Sequence, residues 1–132
     1  MKNGICRMVK YWCICLCSGV NSFESVLRCY DEATGSLTDI ISAFEFMDND
    51  CYKISCSENK VLPPLVDFPF YVVIEISGWT PEQNTERLGT LLEKLMEKQY
   101  AADGVVTDEP ARIKVYRRAV VKKFVEYVEL NP

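Results

Sequence analysis

A chain of 132 residues can bury one core but not two. Its 48% hydrophobic and 26% charged content excludes a disordered polymer, and its net charge of −4 argues against a nucleic-acid or anionic-membrane partner. It has no histidine, which excludes a Ser-His-Asp or Cys-His relay, a His-ligated metal site and an imidazole base.

At the N-terminus, Lys2, Arg7 and Lys10 precede an apolar run from Tyr11 to Cys17. The arrangement imitates a secretory signal. The run is short and holds Trp12 and three cysteines, so it reads better as a strand buried on both faces, closing at Ser18-Gly19. Asn21 then stands three residues before Glu24 like a capping box. Phe23, Val26, Leu27 and Tyr30 form an apolar stripe, and Gly35 supplies the stop of a three-turn helix. A second strand runs from Ile40 to Met47, with Phe44 and Phe46 on one face and Ala43, Glu45 and Met47 on the other.

Asp48 to Asn59 reads as a short helix with Cys51, Ile54 and Cys56 inward. Val61 to Pro69, with three prolines, reads as an extended connector. Phe70 to Ile76 is the clearest strand, nearly all β-branched or aromatic, and it closes at Gly78. Thr80 as cap, Pro81 at the first helical position and Gln83 as box partner start a helix. Leu88, Leu91, Leu92, Leu95 and Met96 give it an apolar stripe as far as Lys98. A brief strand over Gly104–Thr107 and a last helix over Arg112–Glu129 complete the order. Two split β-α-β units of this kind predict an α+β fold, a ferredoxin-like antiparallel sheet with helices on one face. The halves also share a pattern, Phe44-Glu45-Phe46 in one and Ile74-Glu75-Ile76 in the other.

The candidate chemistry is thin. The seven cysteines (6, 13, 15, 17, 29, 51 and 56) are odd in number and include no CxxC pair. They read as reduced, buried small hydrophobes rather than metal ligands or a disulfide frame. Glu45 and Glu75 could form an acid–base pair if their strands are neighbours, but like charges across a sheet destabilise it. Both read better as facing solvent or a further part of the protein. Arg112, Lys114, Arg117, Arg118, Lys122 and Lys123 could grip phosphates or an anionic membrane. The spacing of Tyr116, Phe124 and Tyr127 suits core contacts rather than base stacking, so a solvated face is the better reading. There is no GxGxxG and no GxxxxGK[ST]. No stretch approaches the ~20 apolar residues of a membrane span.

Two segments nevertheless carry a family resemblance. Leu37 to Asp48, reading LTDIISAFEFMD, is similar to the segment before the substrate region of D-2-hydroxyglutarate dehydrogenases. Its Ser42–Asp48 part is the most specific. Pro69 to Gly78, reading PFYVVIEISG, is similar to that family's SPFYVLIETSG. Glu86-Arg87-Leu88-Gly89 and Gly104-Val105-Val106-Thr107-Asp108 fit the helix and strand that follow.

The resemblance spans residues 9–115 and implies a partial FAD-linked oxidase C-terminal domain, which caps the flavin and holds the substrate, followed by a divergent helical tail at 116–132. It implies oxidation of a D-2-hydroxy acid to the 2-oxo acid with hydride transfer to FAD, a divalent metal in the parent enzyme, and a mitochondrial location. Members continue into a Trp-x-x-Arg helix that pairs with a substrate carboxylate, then into a histidine-rich metal motif. After Val115 neither follows, so Arg117 and Arg118 take no substrate role. No catalytic, metal or cofactor residue is assigned. The chain alone is expected to be catalytically inactive and, with its sheet incomplete, to self-associate or aggregate. The competing expectation is a small non-catalytic α+β interaction or regulatory domain.

Overall fold

The computed structural model describes residues 13–58, 60, 62–78 and 80–107. Seven elements follow in order: β1 (Cys13–Val20), α1 (Phe23–Leu37), β2 (Ile41–Asp48), α2 (Asn49–Glu58), β3 (Phe70–Ser77), α3 (Pro81–Glu97) and β4 (Asp103–Thr107). The four strands form one open sheet in the order β2-β3-β1-β4, every neighbouring pair antiparallel. Each β-α-β unit therefore leaves a gap between its parallel strands, and a strand of the other unit fills it. This is the expected ferredoxin-like arrangement.

One face of the sheet carries the main core. Ile14, Leu16, Val72, Ile74 and Ile76 meet Val26, Cys29, Ala33 and Leu37 of α1 and Leu88, Leu91 and Leu95 of α3. Burial of each large aliphatic side chain stabilises the fold by about 1.5–3 kcal/mol. Two cross-helix anchors fix the pair of helices. Arg87 donates to both carboxylate oxygens of Asp39 and to the Ser36 carbonyl at the C-terminus of α1. Lys94 and Lys98 hold Glu32 at 3.1 and 2.5 Å.

The opposite face carries a second, smaller core that the sequence pattern does not announce. Cys15, Cys17, Met47, Tyr71 and Val73 of the sheet pack with Cys51, Tyr52 and Cys56 of α2 and with Leu65 of the connector. The two helices inside the β-α-β units thus share one face, as expected, and α2, which lies between the units, takes the other.

Several boundaries differ from expectation. Ser18-Gly19 does not close β1. Both residues pair with β3 on one side and β4 on the other, and a ladder on both edges overrides their turn preference. The cap of α1 is Ser22, not Asn21, because the Ser22 hydroxyl accepts the Ser25 N–H at 3.1 Å. Gly35 lies inside that helix, which continues until Leu37 reaches the core. The inward stripe of α1 is Val26-Cys29-Ala33-Leu37, whereas Phe23, Leu27 and Tyr30 are about half exposed.

In α2, Ile54 faces out and Tyr52 faces in. In α3, Met96 is largely exposed, and Thr80 caps through its carbonyl, which takes the Asn84 N–H, with no side-chain cap bond. Trp12 and the readings for Lys2–Lys10 and Arg112–Glu129 lie outside the described residues.

Candidate functional site

The strand glutamates are the first residues to place. Ala43 pairs with Glu75 and Glu45 pairs with Val73, so the two carboxylates sit diagonally on one face of neighbouring strands. Diagonal neighbours of this kind are separated by about 7–8 Å. They share the face with Cys15, Cys17 and Val73, while the flanking Phe44, Ile74 and Ile76 point into the main core. Glu45 is half-buried. Glu75 is only 6% exposed, so for it the solvated reading is corrected. The Phe-Glu-Phe and Ile-Glu-Ile segments lie side by side on β2 and β3, which hold different places in their units.

The cysteines form no metal centre in the described part. Among the described residues, no group of three or more His, Cys, Asp or Glu side chains could hold a metal ion. Cys15, Cys17, Cys29, Cys51 and Cys56 are buried thiols outside any disulfide. Burial, helped by the nearby Glu32 charge, pushes the Cys29 thiol up to about 12, and burial also raises Cys56. Thiols raised in this way are poor nucleophiles at neutral pH.

Around them stand two tyrosines that sequence reasoning missed as a unit. Tyr52 and Tyr71 stack at 3.7 Å, and burial raises both phenols above their ordinary value. Their hydroxyls accept the Leu65 and Phe68 N–H groups, fastening the connector across this end of the second face. The aromatic content of the connector and α2 was visible in the sequence, but no periodicity links position 52 to 71.

A third feature is an aromatic flank along α1 and β2. Phe23 meets Phe46 edge-on at 5.4 Å, and Tyr30 meets Phe44 at 5.1 Å. The basic residues Arg112 to Lys123 lie outside the described residues. None of the described helices is long and apolar enough to cross a membrane.

Comparison with known proteins names the family. Residues 14–128 match the family of FAD linked oxidases, C-terminal domain. The chain belongs to this family. The match runs on through residues read from the sequence as a divergent tail.

Among its relatives, the chain is 37% identical over 98 residues to a mitochondrial Schizosaccharomyces pombe protein named as a D-lactate dehydrogenase, covering 74% of this chain and 19% of that one. It is 35% identical over 96 residues to the mitochondrial D-2-hydroxyglutarate dehydrogenase of Danio rerio, covering 73% of this chain and 18% of the relative. A D-2-hydroxyglutarate–pyruvate transhydrogenase of Saccharomyces cerevisiae is 31% identical over 107 residues, covering 77% and 22%. The chain thus spans about a fifth of the length of the curated relatives it matches.

The family name implies FAD. The chain has neither a glycine-rich phosphate loop nor a histidine, and the described carboxylates and thiols do not cluster as ligands. The described residues offer no ligand set for a metal ion, and no step of a reaction is assigned to them.

Proposed function

We propose that this chain is part of the capping and substrate domain of an FAD-dependent D-2-hydroxy-acid dehydrogenase, with 2-hydroxyglutarate the favoured substrate and mitochondria the favoured location. The observation that carries the reading is the family match across residues 14–128. Relatives named for D-2-hydroxyglutarate support the substrate, and one named for D-lactate keeps the class at D-2-hydroxy acids. Several of those names include the mitochondrion.

In this reading residues 9–115 carry the motifs shared with the dehydrogenases, and the domain part runs on with the family match to residue 128. FAD and the divalent metal are held by the remainder of the protein. These 132 residues turn nothing over alone, because oxidation of a hydroxy acid needs a hydride acceptor and a group to take the hydroxyl proton. The test is a titration of the purified chain with FAD, followed by flavin fluorescence, alongside a dye-reduction assay with D-2-hydroxyglutarate. No saturable binding and no dye reduction are expected. Stoichiometric FAD binding or turnover would overturn the assignment of the flavin site to other residues.

A second reading, a non-catalytic interaction domain, draws on the exposed aromatic flank of Phe23, Leu27, Tyr30 and Phe46. It predicts a stable 15.1 kDa polypeptide in cells, whereas the first predicts a flavoenzyme several times larger. Intact mass measurement on the endogenous protein separates them.

A further inference from the structure

The two outer strands of the sheet, β2 and β4, are not alike. β4 has five residues and carries no large exposed apolar side chain, whereas β2 has eight and leaves Phe46 about half exposed. Proteins usually blunt an outer strand with lysine, proline or a covering element, because its unpaired N–H and C=O groups are a template for another strand. β2 reads ISAFEFMD and has no lysine, arginine or proline. Among the described residues no strand lies on its outer side. Its register is irregular between Ile41 and Ala43, so Ala43–Asp48 is the regular stretch.

Apolar surface flanks this same edge. Phe23, Leu27 and Tyr30 follow one another along one side of α1, each about half exposed. Phe23 meets Phe46 and Tyr30 meets Phe44, both edge-on, so α1 runs antiparallel to β2 and the two make one seam. The ring contacts hold the seam in a fixed shape before anything binds, which lowers the cost of docking. Half of a large apolar side chain is about 100 Å², so Phe23, Leu27, Tyr30 and Phe46 together offer about 400 Å². A patch of that size is often functional. It is about half of the ~800 Å² that each partner gives to a stable interface, and the strand edge beside it adds further area.

We propose that this edge is a dimer surface for a second copy of the chain, with the two β2 strands pairing antiparallel about a two-fold axis at Phe44. A surface that docks on its own copy must be self-complementary. An axis at Phe44 sets that ring against its own copy and sets Glu45 against the partner's Ala43, so like charges do not face each other across the strands. It also brings Tyr30 to the axis, with Leu27 and Phe23 about one and two turns away along the seam. Such a pair closes on itself. Docking of β2 on the β4 edge of the next copy would instead repeat without end as a filament. The pairing stands on the described residues alone and holds for either reading of the function.

The test uses the full chain. Sedimentation velocity over a concentration series is expected to show the mass rise from 15.1 kDa to twice that value, with a micromolar midpoint. Phe46→Lys and Leu27→Lys each put a charge on the seam and are expected to weaken the dimer about tenfold or more. Ile54→Lys, which alters an exposed apolar residue on α2, should leave it unchanged. Isotope-filtered NMR on a mixture of labelled and unlabelled chain then reads the register. Contacts of Ala43 in one copy with Glu45 in the other, and between the two Phe44 rings, are expected.

A chain that stays at 15.1 kDa throughout would leave the seam to other parts of a longer polypeptide and overturn the proposal. Open-ended growth beyond the dimer would overturn it too, as would a dimer that both seam variants leave intact or that Ile54→Lys weakens equally. Intermolecular contacts that do not include Ala43 with Glu45 would do the same. Should the seam variants fail to fold, the contacts read on the unaltered chain decide.

Discussion

The rings of Tyr52 and Tyr71 lie parallel, 8° apart in plane, at a centroid distance of 3.7 Å, and each hydroxyl takes a backbone N–H from the same connector. A helix and a strand thereby hold a proline-rich segment that has no secondary structure of its own. The segment in turn closes the core of Cys15, Cys17, Met47, Cys51 and Cys56. The polar ends of the two tyrosines do what a ladder would do elsewhere, satisfying donors in a place water does not reach.

Tyr52→Phe keeps the ring stack but leaves the Leu65 N–H buried without its acceptor. The expected loss is about 1–3 kcal/mol, the desolvation cost of an orphaned group rather than the smaller net worth of a hydrogen bond. Tyr71→Phe removes the acceptor for Phe68 and acts in the same direction. Because the two rings touch, the double variant is expected to depart from additivity by about 0.5 kcal/mol or more. Urea unfolding of the four proteins measures this, and two neutral single variants would refute the strap.

Gly19 lies inside β1 where the Phe68 ring comes closest to the strand. A Cβ at this position would overlap the Phe68 ring. Gly19→Ala is therefore expected to cost about 1–3 kcal/mol through overpacking, even though its backbone pairs normally with Tyr71 and Asp103. Adding Phe68→Leu makes room and should return part of the loss. If thermal unfolding shows the single variant unchanged, the close approach does not matter.

The strands were the legible part of this fold. Phe70–Ser77 is a run of β-branched and aromatic residues buried on both faces, and such a run has few alternatives to a central strand. Pro81 and the leucines at 88, 91 and 95 made α3 equally plain. The inward face of α1 was not legible, because two stripes compete along it. The larger residues, Phe23, Leu27 and Tyr30, lost the core to Val26, Cys29, Ala33 and Leu37.

Sheet proximity decides that contest, since the stripe of Val26, Cys29, Ala33 and Leu37 is the one that faces the sheet and α3. For the same reason the Glu45–Glu75 adjacency could be stated only as a condition. It follows from strand order, which hydrophobic pattern does not encode. The second core was hidden for another reason: a connector with three prolines shows no period from which burial can be read.

The ion pairs between the helices set an acid limit. Hydrogen bonds from Arg87 hold the Asp39 carboxyl below its ordinary value of 3.8, and those from Lys98 and Lys94 hold Glu32 below 4.5. A carboxylate lowered in the folded state contributes stability that is complete above its unfolded value and lost as pH falls through the folded one. Stability should thus decline below about pH 4.5. Arg87→Ala should flatten the Asp39 part of that decline, and so should high salt, because the Arg87–Asp39 pair is open to solvent and screened. Denaturant titrations between pH 6 and pH 2.5 test this. A variant with the same acid slope as the parent would show that the Arg87–Asp39 pair contributes nothing.

Cys29 offers the last test, one of the core rather than the surface. Its thiol is wholly buried, lies 3.9 Å from the Tyr100 carbonyl oxygen and is pushed up to about 12. At pH 8 a thiol with that value is about one part in ten thousand thiolate, and the thiolate is the form that reacts. Alkylation of the native chain with iodoacetamide should therefore leave Cys29 unmodified, together with Cys15, Cys17, Cys51 and Cys56, which are also buried thiols. In urea above the unfolding midpoint all five should label. Labelling in between should rise with the unfolded fraction if the domain opens as one unit. The two cores can also part company, since Cys29 reports on the α1–α3 face and the other four on the α2 face. If the four label at lower urea than Cys29, the connector and α2 detach first. If Cys29 labels rapidly without denaturant, α1 does not pack against the sheet as described.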